Sequence, residues 1–578
     1  MKCVAILSIV LISISPVFAR YNFSAITGGE YHTIALNQDY TLRAWGCNIN
    51  YGPLGDGTTE RRYTPVKVVG PDSVGFFMDA KAIAAGLDHS VALKQDSTVW
   101  AWGKNTYGEL GDGTTSISKT PVQVVDSSGT GYLTGIVAIS TSNEHTLALG
   151  ADSTVWAWGY NYNGQLGIDS SGLRSEKPVQ VVSSSGFGTL TGIVAVAAGH
   201  NHSLALKADG TVWAWGDNLY GQLGNGGTAD RYWPVQVVNS SGTGYLTDVI
   251  AIAAGCWHSV ALKSDGTVWT WGKNTDGQLG NGNTELDKST RPVQVLGPYG
   301  VGNLTGVVDI KTGWGHTVAL TEDSIALSWG RGEVCQLGNG DSSDSYFPVY
   351  VYDSTGVELL RPIVETGVGW YHNFAIMANG VTFAWGHNNM GQLGNGTTAW
   401  RTPLIVEVEV EVFAPEALIT SPLNYTTSSC EYQGVIWFLE ASNDLDTTSI
   451  EVRCGDSLYT LEDAELSYQS LSTTSGKLAF MPSEPWGLCD TVKVCLTELA
   501  DTSGLSLWDS VCSNFYIDRI PPVLKSREPD SGFVMDMAPY GMSVEYSDEI
   551  SGVDSSCWEL VVAGRTFAYG DTGISMSG

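Results

Sequence analysis

One unit, repeated seven times in register, constrains this chain more than any other feature. Trp-Gly pairs begin at Trp45, Trp102, Trp158, Trp215, Trp271, Trp329 and Trp385, at intervals of 57, 56, 57, 56, 58 and 56 residues. A histidine stands thirteen residues before each pair, at His32, His89, His145, His202, His258, His316 and His372; only His200 and His387 fall outside the set. A Leu-Gly pair follows each time (Leu54, Leu110, Leu166, Leu223, Leu279, Leu337, Leu393). A proline then opens a short apolar run (Pro65, Pro121, Pro178, Pro234, Pro292, Pro348, Pro403). Self-similarity at a fixed period of this length marks a fold assembled from equivalent units.

Each unit reads as strands. "HSLALKADGTVWAWG" holds two short β-favouring runs around Lys-Ala-Asp-Gly, a hairpin signal. The turn position carries Asp39, Asp96, Asp152, Asp209, Asp265, Asp323 and Asn379, residues that tolerate a left-handed backbone. "GIVAVAAG" before the histidine gives a third strand and "PVQVV" a fourth, whose proline predicts an outer position. Four short antiparallel strands per unit, seven units and no helical periodicity predict an all-β, seven-bladed propeller.

The order G-x-x-H-[ST]-x-A-L, D-G-T-V-W-x-W-G, N-x-x-G-Q-L-G-N-G and P-V-x-V resembles the regulator of chromosome condensation repeat, over about residues 22–413. That resemblance implies a seven-bladed propeller closed where the terminal segments meet. Phe23–Gly29 and Pro403–Phe413 are placed for that closure. The exported context described below makes it resemble a bacterial-type member of the family.

Histidine, aspartate and serine in one motif suggest catalysis, but seven equal copies argue for architecture. An active site needs a few residues in one unusual environment. In a sevenfold ring of radius ~8 Å, neighbouring equivalents lie roughly 7 Å apart, whereas zinc holds each nitrogen at about 2 Å. The seven histidines are therefore expected to be structural, bonding backbone groups inside a blade, and the seven Trp-Gly tryptophans to fill the core between blades. No phosphate-cradling loop, C-x-x-C pair or H-E-x-x-H is present. We expect no enzymatic activity, no metal and no cofactor.

Individuality lies in the loops. The two residues before each repeat histidine vary, and so does the loop after Trp-Gly. Equivalent positions fall on one face of the disc. That rim would carry Tyr31, Trp257, Trp314, Trp370 and Tyr371, together with Tyr107, Tyr162 and Tyr220 from the second loop. Large aromatics in variable loops make a candidate partner-binding surface; the alternative is that they pack over the central channel or merely cap blades.

A formal charge of −31 disfavours nucleic-acid binding. Residues 1–19 have the basic start, apolar run and small-residue end of a secretory signal peptide, and no later segment is long and apolar enough for a membrane span. An extracellular or cell-surface location after Sec-type export, as a monomer, is expected. Residues 414–520 hold Cys430, Cys454, Cys489, Cys495 and Cys512, which in an exported chain suggests disulfides with one cysteine left over. Their strand-like runs resemble an immunoglobulin-like sandwich, and residues 521–578 resemble the first part of a second.

The leading expectation is an exported, non-enzymatic protein that recognises a protein or polysaccharide through its propeller face. Two alternatives come from the family: nucleotide exchange on a small GTPase, against which repeats of 56–58 residues leave no room for an inserted wedge, and inhibition of a secreted enzyme, as in the β-lactamase-inhibitory propeller. A hydrolase or lyase would need a paired-carboxylate cleft that breaks the symmetry.

Overall fold

The computed structural model describes residues 23–408, apart from 74 and 169–171, and, discontinuously, residues between 416 and 568. The segment read as a signal peptide lies outside the described residues. The chain divides into two compact units, one of which is Arg20–Glu411. That unit is seven four-stranded antiparallel sheets, each built from one contiguous stretch of chain with its strands in sequence order. Blade 4 is representative: Ile193–Ala198 innermost, then His202–Lys207, Val212–Gly216 and the outer Arg231–Gln236. The expected all-β, seven-bladed propeller is therefore the fold.

Two local features differ from the sequence reading. The prolines sit inside the outer strand rather than opening it. Between Ala44 and Gly46 the register jumps from Val66 to Arg62, so a bulge absorbs the missing N–H of Pro65. In the hairpins the left-handed residue is the one after the aspartate: Ser97 has φ 66° and Gly210 φ 78°. Asp96 instead accepts hydrogen bonds from the Thr98 amide (3.0 Å) and hydroxyl (2.6 Å), closing an Asx turn. At the closure, among the described residues, both end blades keep their own four strands, and Phe23 shares a core cluster with Val408. Phe23–Gly28 is the innermost strand of blade 1 and Arg401–Glu407 the outer strand of blade 7.

The core lies between blades. All seven Trp-Gly tryptophans are fully buried. Trp271 of blade 5 packs among Leu204, Leu206, Val212, Leu223 and Val237 of blade 4. Trp45 of blade 1 packs in the same way on Phe374, Ile376 and Leu393 of blade 7, so blade-to-blade packing closes the ring. An aromatic ring that buries ~150–250 Å² contributes about 4–6 kcal/mol of burial free energy before ordering costs.

Among its described residues the second unit has two larger sheets and two two-stranded ones. One larger sheet orders Glu416–Ser421, Val435–Glu440, Ser475–Phe480 and Leu466–Ser470; the other orders Thr426–Ser428, Val511–Ile517, Thr491–Asp501, Leu445–Cys454 and Ser457–Tyr459. Cys495 lies opposite Cys512 in register, and Cys454 is a free thiol. Cys430, Cys489 and Cys557 lie outside the described residues. In the 521–578 region, Val523–Glu528 pairs with Ser543–Ser547 and Glu559–Val562 with Arg565–Ala568. Among the described residues no helix is long and apolar enough to cross a membrane.

Candidate functional site: the aromatic face

The repeated histidines lock blades together, and they do so through side chains of the next blade rather than backbone within their own. His32 Nε2 meets Ser90 Oγ at 3.0 Å, and His202 Nε2 meets Ser259 Oγ at 2.9 Å. His258 meets Thr317 at 3.1 Å and His316 meets Asn373 at 2.8 Å. His372 meets Thr33 at 2.9 Å, which closes the circle from blade 7 to blade 1. Each partner directly follows the next repeat histidine. In blade 3 the donor pair shifts: His89 lies 2.9 Å from Thr141 and 3.5 Å from Thr146.

The hydroxyls in turn donate to the preceding blade. Ser259 donates to the Gln222 carbonyl at 2.8 Å, which also accepts Trp271 Nε1–H at 2.8 Å. Ser259 is thereby left to accept from His202, which places the histidine proton on Nε2. Burial without charge depresses these imidazoles, His32 and His316 to about 4 and His89, His145, His202 and His258 to about 3. They are neutral structural pins.

Because each histidine is pinned, the two residues before it are pinned too. Backbone N–H groups at the axis donate blade to blade: Leu87 to Asn143, Cys256 to Trp314, Trp314 to Trp370 and Trp370 to Gly29. The residue two before each repeat histidine therefore stands at the mouth of the central channel, and the residue one before it stands a ring further out. Six of the seven blades place a glycine just below this collar, where a side chain would collide. A Cβ on Gly199 would lie 2.3 Å from His202 Cε1 and 2.8 Å from the Gly255 carbonyl. Blade 3 carries Ser142 instead, and Ser142 lines a small axial cavity of about 20 Å³ with His200, Cys256, Trp314 and Trp370.

On this collar six of the eight proposed aromatics form one network. Tyr220 lies 5.7 Å from Trp257, and Trp257 lies 4.8 Å from Trp314, edge to face. Trp314 continues to Tyr371 at 5.8 Å and Trp370 meets Tyr371 at 6.4 Å. Tyr31 joins through His387, 5.8 Å from Tyr31 and 6.1 Å from Tyr371. All six are half-buried. Tyr107 and Tyr162 are not part of it; they belong to a separate stack with Tyr160, at 4.8 and 6.4 Å. Tyr162 sits one loop position away from Tyr107 and Tyr220 and is 62% exposed.

The sequence reading missed the groups that knit this network. His200 bridges Trp257 (5.9 Å) of blade 5 and Trp370 (5.8 Å) of blade 7, across the axis. Lys273 Nζ stands 4.8 Å from the centre of the Trp257 ring and 5.5 Å from that of Trp314, and the Arg331 guanidinium stands 4.8 Å from Trp314. Lys273 and Arg331 each follow a Trp-Gly pair, a variable position that was the available signal. His200 and His387 were visible as the two histidines outside the repeat.

A second cluster occupies the same face on blades 2 and 3. Glu109 stands where blades 3–7 carry Gln165, Gln222, Gln278, Gln336 and Gln392. It is completely buried; Oε2 accepts the Tyr107 amide at 2.6 Å and Oε1 has no hydrogen-bond partner. Lys104 Nζ is 3.9 Å from Oε1 and is ion-paired to Glu144. Burial is the largest influence and raises Glu109 to about 7. Among the described residues no three of His, Cys, Asp and Glu are grouped to hold a metal ion.

The family model described as RCC1-like domain matches residues 125–418, just over half of the chain, and the regulator of chromosome condensation (RCC1) repeat matches 43–93 and 96–149. The chain belongs to the RCC1-like family. Among relatives of this RCC1-like propeller, the ultraviolet-B receptor UVR8 of Arabidopsis thaliana is 31% identical over 384 residues, 66% of this chain and 81% of that protein. The E3 ubiquitin-protein ligase HERC2 of Mus musculus is 33% identical over 338 residues, 58% of this chain but 6% of that protein. Human WBSCR16 shares the fold at a TM-score of 0.53 and 22% identity, covering 66% of this chain and 96% of its own. Prp20p of Saccharomyces cerevisiae does so at 0.51 and 22%, covering 68% and 88%.

Proposed function

We propose that this propeller is a non-enzymatic binding module whose aromatic face, running from blade 4 through blade 7 to Tyr31 of blade 1, recognises a protein partner, in a chain that is exported and carries immunoglobulin-like domains after residue 413. The observation that carries the reading is the unbroken network from Tyr220 through Trp257, Trp314 and Tyr371 to Tyr31. Its rings are already ordered by mutual stacking and by Lys273 and Arg331, so docking costs little further side-chain entropy. Trp, Tyr and Arg are the residue types enriched where protein partners bind most tightly. Family relatives add support, since the structural work on Prp20p concerns its binding to Gsp1p and histones.

The test is capture from the native extracellular fraction with the wild-type chain and with Trp257→Ala and Tyr371→Ala. Partner loss with an unchanged Tm supports the reading; retention by both variants refutes it. Capture by immobilised polysaccharide instead would reassign the ligand class. Nucleotide release from a panel of small GTPases and titration against secreted hydrolases test the exchange-factor and inhibitor alternatives.

A second reading has one observation in its favour. The relative named an ultraviolet-B receptor matches 66% of this chain, and here Trp257 and Trp314 lie 4.8 Å apart beneath two cations. Tryptophan is the standard side chain that absorbs furthest into the ultraviolet-B. A change in hydrodynamic radius or tryptophan fluorescence after ultraviolet-B exposure, lost in Trp314→Phe, would support it; light-independence of both removes it.

A further inference from the structure

The aromatic face is not uniform. Blades 5–7 carry the tryptophans with charges that cancel locally: Lys273 lies 3.5 Å from Asp276, and Arg331 is ion-paired to Glu333. Blades 1–3 present the opposite character at equivalent loop positions. Glu30, Asp88 and Glu144 occupy the two residues before the repeat histidines, where blades 5–7 place Trp257, Trp314, Trp370 and Tyr371. They are half-buried, and with the buried Glu109 they make four carboxylates around one ammonium, Lys104. Lys104 is ion-paired to Glu144 and lies 3.9 Å from Glu109, so Glu30 and Asp88 leave negative charge in excess there.

The Glu109 carboxyl lies beneath this half, closed off from solvent. Its Oε1 is wholly buried and has no hydrogen-bond donor, on the side where Lys104 approaches to 3.9 Å. A cation arriving over blades 1–3 meets the half-buried carboxylates of Glu30, Asp88 and Glu144 and an excess of negative charge. One that also reaches blades 5–7 meets ordered apolar rings.

We propose that the partner bound by this face is a polypeptide segment in which lysine or arginine residues, lying over blades 1–3, stand beside apolar side chains that cover Trp257, Trp314 and Tyr371. The inference rests on the face being a protein-binding site. Electrostatic complementarity of this kind sets orientation and association rate, while the apolar contacts set residence. A wholly acidic or purely apolar segment satisfies only one half.

The experiment uses the full chain and three synthetic peptides of alternating Lys-Leu, Lys-Ser and Glu-Leu, with binding followed by tryptophan fluorescence and calorimetry at low and moderate salt. The double variant Asp88→Asn with Glu144→Gln removes charge from the site. A control pair, Asp209→Asn with Asp265→Asn, removes the same charge from hairpin turns on the opposite face, where blade 7 already has Asn379.

The Lys-Leu peptide is expected to bind at least about tenfold tighter than the others. The site double variant should weaken it about tenfold while the control pair changes it less than about twofold. Equal loss in both variants would reduce the effect to attraction by the net charge and overturn the proposal, as would undiminished binding to the site variant. Self-association of the chain through this face, blocked by the same variant, would make a second copy the occupant and also overturn it. Native partner capture that needs Trp257 but not Asp88 and Glu144 refutes this inference alone. Capture that needs none of them refutes the binding face itself.

Discussion

Replacing Glu109 with glutamine should stabilise the propeller above neutral pH, although it removes a charge beside a lysine. The position is glutamine in blades 3–7, and its backbone carbonyl is untouched by the change. One side-chain oxygen accepts the Tyr107 amide, as Gln222 Oε1 accepts the Tyr220 amide at 2.9 Å. The other oxygen is unpartnered, whereas Gln165 Nε2 in the next blade donates to Asn201 at 3.3 Å. Glu144 is the counterpart of Asn201, so a glutamine at 109 gains an acceptor.

Burial lifts Glu109 from 4.5 to about 7. The native state therefore holds a proton that the unfolded chain releases, and stability falls as pH rises from about 4.5 to 7, then levels off. At 1.36 kcal/mol per pKa unit the ceiling is about 3 kcal/mol, and about 2–3 kcal/mol is expected at pH 8. With an unfolding entropy of about 2.1 cal/mol/K per residue, the unit Arg20–Glu411 changes stability by ~0.8 kcal/mol per kelvin, which converts to a Tm increase of about 2–4 °C. Differential scanning calorimetry of both proteins at pH 5, 6, 7 and 8 measures it. The difference should grow across that series. A constant difference, or a less stable variant at pH 8, would falsify the account of a carboxylate buried against its charge.

The histidines act in the opposite sense. Their folded pKa values lie below the usual 6.5, so the unfolded state takes up protons as pH falls from 6.5 towards 3–4 and stability is lost across that window. Seven such groups give a slope approaching ~9 kcal/mol per pH unit, and acid unfolding should be steep between about pH 6 and 4; a transition that takes up one proton contradicts it. Ser259→Ala strands His202 Nε2–H and should cost about 1–3 kcal/mol, while Ser259→Thr, the residue type of blades 1, 3 and 6, restores Tm. Gly199→Ala drives a Cβ into His202 and should destabilise by about 1–3 kcal/mol in thermal melts; an unchanged Tm would show the ring free to move. Trp257→Ala should abolish partner capture with a Tm change of a few degrees at most, read by pull-down and calorimetry together.

Much of this was legible before any coordinates. The period set the number of blades, and the apolar alternation around Trp-Gly set which residues face the neighbouring blade. Repeat registration put Tyr31, Trp257 and Tyr371 on one face because equivalent loops leave equivalent strand ends. The histidines were read as architecture bonding backbone inside a blade, whereas the structure gives them side-chain partners in the next blade. A motif shows that Ser follows His in most repeats; it does not show that the serine serves the histidine of the preceding unit. Glu109 passed unnoticed for a related reason: its departure from glutamine matters only because the position is sealed from water.

The sequence by itself determined a ring of seven like sheets, since a repeated pattern of buried and turn residues has the same free-energy minimum in every copy. Only the tertiary structure decided which loop residues meet. His200 and Trp370 are 170 residues apart and on blades that are not neighbours, yet they touch because ring closure brings all seven axial positions to one narrow mouth. Tyr107 and Tyr162, drawn from the same loops as Tyr220, stay out of that network: blades 2 and 3 carry Leu87-Asp88 and Asn143-Glu144 before their histidines, not rings. Local propensity has no access to that choice, which depends on the size and charge of side chains arriving from opposite sides of a closed circle.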